Sequence, residues 1–89
     1  MIEVVSSNKF EKDLRIIQRR GYNMALLRRI IDSLQKEKRL SPILRDHLLS
    51  GDYSDCRECH VKADWLLIYQ IKNDVLYLLR TGTHSDLFR

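Results

Sequence analysis

Apolar residues along this 89-residue chain change their period once, near the middle. Residues 2–5 read as a short first strand. Ser6, Ser7 and Asn8 follow, and each suits a helix N-cap because its side-chain oxygen can accept from an unpaired first-turn N–H. Phe10, Leu14 and Ile17 then recur at spacings of four and three, the stripe of an amphipathic helix. Gly21 stands where that helix should stop. Asn23 can cap a second helix with Met24, Leu27, Ile30, Ile31 and Leu34 on its apolar face. Pro42 closes the helical half, since it disfavours a helical conformation at Ser41. Beyond it, residues 53–62 alternate loosely, residues 66–71 are apolar and β-prone, and Asn73-Asp74 is a turn signal before a strand over 75–80. A short tail runs to Phe88. The predicted order is β-α-α-β-β-β. Its simplest architecture is α+β, two helices packed on one face of a twisted, mainly antiparallel sheet.

Length allows one domain, residues 1–89, and not two. With 44% hydrophobic residues the chain is too apolar for a disordered one. No run of 18 apolar residues is present to span a membrane. Residues 1–5 lack the basic-then-apolar pattern of a signal peptide, so the cytoplasm is the expected location. The net charge of +4 is unevenly placed. Residues 1–45 hold 11 Lys/Arg against 5 Asp/Glu, and residues 46–89 hold 5 against 7. Lys12, Arg15, Arg19, Arg28 and Arg29 fall on the polar faces of the two helices. A basic half points to an anionic partner, nucleic acid first, with a merely solvated surface as the alternative.

Cys56 and Cys59 have C-x-x-C spacing, which invites a zinc or redox reading. No second pair completes four ligands, and on a strand the two positions face opposite sides. They are expected to be reduced, structurally minor thiols. His47, His60, Asp64 and His84 lie at expected loop and strand-end positions, where functional groups are commonly displayed. His60 and Asp64 should be neighbours across a tight connection. His84 joins them only if the strand order brings its strand end to the same edge. Their spacings match no helical metal motif, so no metal is expected. Metal-free RNA cleavage needs a base for the ribose 2′-hydroxyl, an acid for the leaving 5′-oxygen and positive charge at the phosphorane. Histidine suits the first two. Arg80, Arg57 or Lys62 can supply the third. Trp65 and Phe88 can stack on unpaired bases, or serve as core anchor and terminal packing.

Three strings carry a resemblance. RDHLLSG at 45–51, RECH at 57–60 followed by DWLLIY at 64–69, and RTGTHSDLF at 80–88 resemble, in order and spacing, blocks of YafQ-type toxins in the RelE superfamily. The layout of the first half agrees. The resemblance implies a RelE-like fold and an endoribonuclease acting on messenger RNA in the ribosome, with no metal and no nucleotide cofactor. It implies a cognate antitoxin, acidic and of the ribbon-helix-helix type, through which operator DNA is bound. His47, His60, Asp64 and His84 match the family's active-site positions, and Trp65 and Phe88 its substrate-site aromatics. His84 would be the acid, Asp64 or His47 the base, and Arg80 a weaker candidate for charge stabilisation. The basic helix residues would contact ribosomal RNA phosphates. Leu48 and Ala63 stand where the family often has proline, so both loops are expected to be less stiff.

Three other readings compete. A ParE-like gyrase poison would need no acid–base cluster. A plain nucleic-acid-binding module would leave three histidines and Asp64 without a joint purpose. A catalytically weak, antitoxin-binding relative would keep the strings and lose the rate.

Overall fold

A computed structural model describes residues 1–88. Strand β1 (Glu3–Ser6) leads into helix α1 (Asn8–Arg19), then α2 (Met24–Gln35). Ser7 is the α1 N-cap, its side chain accepting from the Phe10 N–H, and Asn23 caps α2 in the same way through the Ala25 N–H. Gly21 has φ +81°, the left-handed conformation that lets the chain leave α1 and turn into α2. The second half supplies β2 (His47–Leu48), β3 (Arg57–Lys62), β4 (Trp65–Lys72), β5 (Val75–Gly82) and a one-turn helix α3 (His84–Leu87).

The sheet order is β1-β5-β4-β3-β2, with β1 parallel to β5 and every other pair antiparallel. The predicted mainly antiparallel sheet is present, and the parallel pair follows from α1 and α2 returning the chain across one face. Several boundaries differ from the sequence reading, among them the first strand, which is shifted by one residue, and the last, which runs on to Gly82. His47 lies on a two-residue edge strand, not in a loop. The strand expected from residue 53 begins at Arg57, because Gly51–Tyr53 forms a single 3-10 turn. The third strand extends to Trp65 and Lys72. The tail is helical, closed by a capping box in which Thr83 and Asp86 bond each other's backbone N–H groups.

Two apolar clusters lie on opposite faces of the sheet. Phe10, Ile17, Leu27, Ile30 and Leu34 of the helices pack on Cys59, Val61, Trp65, Leu67, Tyr69, Leu76 and Leu78. The other face carries Cys56, Leu66, Ile68 and Leu87, with Leu49, Tyr53 and Leu79 against them. The two cysteines therefore do fall on opposite faces, both free. Burial pushes the Cys59 thiol up to about 12 and raises that of Cys56, which keeps both protonated and unreactive at neutral pH. Among the described residues, no helix is long and apolar enough to cross a membrane.

Candidate functional site

Register decides which groups meet. His47 pairs with Glu58, Glu58 with Ile68, His60 with Leu66, and Leu66 with Gly82. Cross-strand partners share a face, so His47, Glu58 and His60 lie on the face opposite α1 and α2. Gly82 ends β5 beside the start of β4. The strand order thus delivers His84 to the edge where β3 ends, the condition that the sequence left open. The rings form a row. The His47 and His60 centroids are 6.5 Å apart, those of His60 and His84 5.9 Å, those of His84 and Phe88 6.1 Å, and those of Phe88 and Tyr53 5.9 Å.

Each histidine is held differently. His84 Nδ1 lies 2.7 Å from Asp64 Oδ1, and the His84 backbone N–H donates to the same oxygen at 3.1 Å. These two bonds, the side-chain one foremost, hold the Asp64 carboxyl below the usual carboxylate range. An ionised Asp64 fixes the proton on Nδ1 and leaves His84 Nε2 to the substrate side. His47 Nδ1 lies 2.7 Å from the Arg45 carbonyl oxygen. A carbonyl can only accept, so Nδ1 carries the proton and Nε2 of the neutral ring keeps its lone pair. Arg45 takes φ +54° to present that carbonyl. The Asp46 side chain pins the loop, accepting from Tyr69 Oη at 2.6 Å and pairing with Arg57. This anchor ties the loop before His47 to β3 and β4.

His84 depends on a second anchor. The Arg20 guanidinium grips both oxygens of Asp86, at 2.7 and 3.1 Å, while the Thr83 N–H donates to Asp86 at 2.9 Å. Arg20 foremost holds the Asp86 carboxyl well below the usual carboxylate range. Because that folded value is depressed, the contact stabilises the fold at higher pH and is lost on acidification through it. Gly82, at φ +152°, has no room for a Cβ, which would sit 2.9 Å from Asp86 Oδ2. Arg20 is therefore a tether from α1 to α3, not a free phosphate contact.

Several sequence-predicted residues stand elsewhere. Trp65 is 4% exposed, its indole N–H donating to Thr81 Oγ1 at 2.9 Å. The structure places it in the core, where it cannot stack on a base from this face. Arg80 makes a forked pair with buried Asp13, at 2.7 and 3.2 Å, and Arg57 is tied to Asp46. Phe88 is 43% exposed beside His84. Lys12, Arg15, Arg19, Arg28 and Arg29 are all exposed on the helices. A concavity of about 620 Å³, lined by Arg39, Arg45 and Ile71 among others, lies beside the His47 loop and not at the histidine row.

Sequence reasoning missed Glu58. Its side chain is only 5% exposed, and its carboxylate stands 3.7 Å from both His47 Nε2 and His60 Nε2. Strand period two was the available signal, since residues 58 and 60 must share a face. Among the described residues, no group of three or more His, Cys, Asp or Glu side chains is arranged to hold a metal ion. Glu58 is instead placed to stabilise an imidazolium formed during a reaction. Glu58→Gln keeps the shape and removes the charge. It is expected to lower kcat about tenfold, one pKa unit's worth of such stabilisation, with KM unchanged and Glu58→Asp in between. An unchanged kcat in steady-state RNA cleavage would reduce Glu58 to packing.

The family model for the bacterial toxin of type II toxin–antitoxin systems, YafQ, matches residues 2–89. The chain belongs to the YafQ toxin family. The mRNA interferase toxin YafQ of Escherichia coli K12 is 33% identical over 87 residues, 97% of this chain and 95% of the relative. A metal-bound toxin from Helicobacter pylori is 44% identical, with TM-score 0.92 over 99% of this chain and all of that one. YafQ in the E. coli DinJ–YafQ complex is 32% identical, with TM-score 0.91 over the whole of both chains. The α+β fold expected from the strings is the YafQ fold.

Proposed function

We propose that this YafQ-family chain is the toxin of a type II toxin–antitoxin pair and an endoribonuclease that cuts messenger RNA on the ribosome, without a metal, by attack of the ribose 2′-hydroxyl. The observation that carries this reading is the row of three histidines, in which His47 is backed by a backbone carbonyl and His84 by a carboxylate. His47, its Nδ1–H committed to the Arg45 carbonyl, offers the Nε2 lone pair as base. His84, backed by ionised Asp64, is the better site for an imidazolium and gives its Nε2 proton to the departing 5′-oxygen. In this reading Asp64 orients the acid, and His47 serves as the base. His60, between them and beside Glu58, meets the phosphate. Phe88, exposed next to His84, supports a neighbouring base by stacking. Trp65 supports the site from the helix face, and Arg80, opposite Ile68 and beside Tyr53, is held at the β5 edge by Asp13. The 2′-oxygen displaces the 5′-oxygen, so the upstream product ends in a 2′,3′-cyclic phosphate and the downstream one in a 5′-hydroxyl.

No cofactor is required by this chemistry. We place the chain in the cytoplasm with its substrate. DinJ, seen with the relative, supports a cognate antitoxin here; we propose that it is acidic and of the ribbon-helix-helix type, with operator DNA bound only through the complex. Purified chain added to ribosomes carrying a defined message should release fragments with those two ends. A downstream fragment with a 5′-phosphate, beside an upstream one with a free 3′-hydroxyl, would contradict 2′-hydroxyl attack.

The helices face away from the histidines, so their exposed charges serve a different surface. Lys12, Arg15, Arg19, Arg28 and Arg29 would hold ribosomal RNA phosphates while the opposite face meets the message. Neutralising them singly to Gln or Met should weaken ribosome binding and reduce its salt slope by up to about 0.9 for each phosphate no longer neutralised. Ribosome co-sedimentation across a salt series checks this, and an unchanged slope in all five variants would sink the idea.

A further inference from the structure

The Asp64–His84 pair stands at the end of the sheet, with His60 and His47 on one side. On its other side lies a cavity of about 450 Å³ that the chemistry above does not use. It opens between the β3–β4 turn and the α1–α2 turn. Tyr22, Ala63 and Trp65 supply apolar wall, Asp64 and Asn23 polar groups, and exposed Lys62 a positive charge. Tyr22 meets Trp65 edge to face, centroids 5.0 Å apart at 64°. The Trp65 indole is locked to Thr81, so this wall is preformed. Asn23 uses its carbonyl oxygen to cap α2, which leaves its amide N–H groups as donors.

We propose that this cavity takes one nucleobase of the RNA being cut, a base flanking the scissile phosphate; the proposal rests on the ribonuclease reading. Its volume is within the range of small-molecule sites, about 300–1,000 Å³. Single-stranded RNA is recognised by bases splayed into such pockets, held by aromatic contact and by hydrogen bonds to their edges. Asp64 borders both the cavity and the catalytic histidine. A base seated there places the adjoining phosphate at His84, and Lys62 neutralises the phosphate on the other side. Base preference would then be set by Tyr22 and Asn23, on the α1–α2 turn, rather than by Phe88 alone.

Trp65 is the one tryptophan of the chain, so its fluorescence reports on this cavity. The probe is a set of fluorescently labelled, 2′-O-methylated RNA oligonucleotides, which lack the nucleophile and cannot be cut. Anisotropy follows total binding, and Trp65 emission follows the cavity. The complete oligonucleotide should change Trp65 emission as it binds. Members made abasic at successive positions should include one that binds about tenfold more weakly, the loss of one stacked base, and leaves the emission unchanged. Ala63→Phe fills the cavity from an exposed position. It should show the same tenfold loss for the complete oligonucleotide and none for that abasic one. Lys62→Ala, also exposed, should lower the salt slope and keep the emission change. Binding by anisotropy with unaltered Trp65 emission and equal affinity for every abasic member would overturn the pocket alone. No anisotropy change up to millimolar RNA would overturn the RNA-binding reading with it.

Discussion

Replacing His84 with alanine is expected to lower RNA cleavage by about 10²- to 10⁴-fold, the usual loss when a positioned proton donor is removed, with the fold intact. The side chain is 55% exposed and the ring bonds to Asp64, itself 61% exposed. The backbone bonds that hold the turn, from the His84 N–H to Asp64 and from the Phe88 N–H to the His84 carbonyl, survive truncation. Single-turnover cleavage on programmed ribosomes measures the rate, and circular dichroism the fold. Asp64→Asn should give a large part of the same loss, because a neutral amide cannot stabilise the imidazolium that His84 must become. A His84→Ala protein that cuts at the parent rate would remove this histidine from the chemistry.

The largest stability effect is expected at Asp13, a residue without a place in the chemistry. β1 covers β5 only as far as Leu78, opposite Ser6. Past that point Ser7 Oγ caps the Leu79 carbonyl at 2.8 Å, and farther along β5 Asp13 of α1 takes the missing strand's place. Its carboxylate accepts from the Thr81 N–H at 3.1 Å while it holds the Arg80 fork. Asp13→Ala takes the main partner from the partly buried Arg80 guanidinium, which keeps only its contact with Tyr53, and leaves the buried Thr81 amide without Asp13. The expected cost is about 2–3 kcal/mol, a fall in Tm of roughly 10–20 °C for a domain of this size. Thermal unfolding checks it. The double variant Asp13→Ala/Arg80→Ala should be less destabilised than the sum of the single ones. Additive losses would mean that Arg80 and Asp13 act separately, and would return Arg80 to the substrate side.

Those two residues also show what the sequence carried and what it withheld. The helices were legible because their stripes and caps are local: Ser7, Asn23 and Gly21 act on neighbours within four positions. The histidines could be selected by residue type, since few side chains move protons near neutrality. Their grouping could not, because it depends on β5 lying between β1 and β4, a pairing of residues more than 70 positions apart. Arg80 looked like a free cation for the same reason: its partner Asp13 lies 67 positions away. Trp65 had two readings in the sequence, and only the sheet register, which puts it on the helix face, places it in the core. The α3 turn was hidden by its length, since four residues carry no period, although Thr83 and Asp86 have the capping-box spacing. Glu58 fell inside a string noted for its histidine. It gained a purpose only when β2 laid His47 across from it.

The histidine row is expected to cut messenger RNA during translation. Expressing the chain and its His84→Ala variant in cells, with messenger RNA 5′ ends mapped across the transcriptome, tests it most directly. New 5′-hydroxyl ends are expected inside translated frames, present with the parent chain and absent with His84→Ala. Equal growth arrest by both chains without such ends would contradict it.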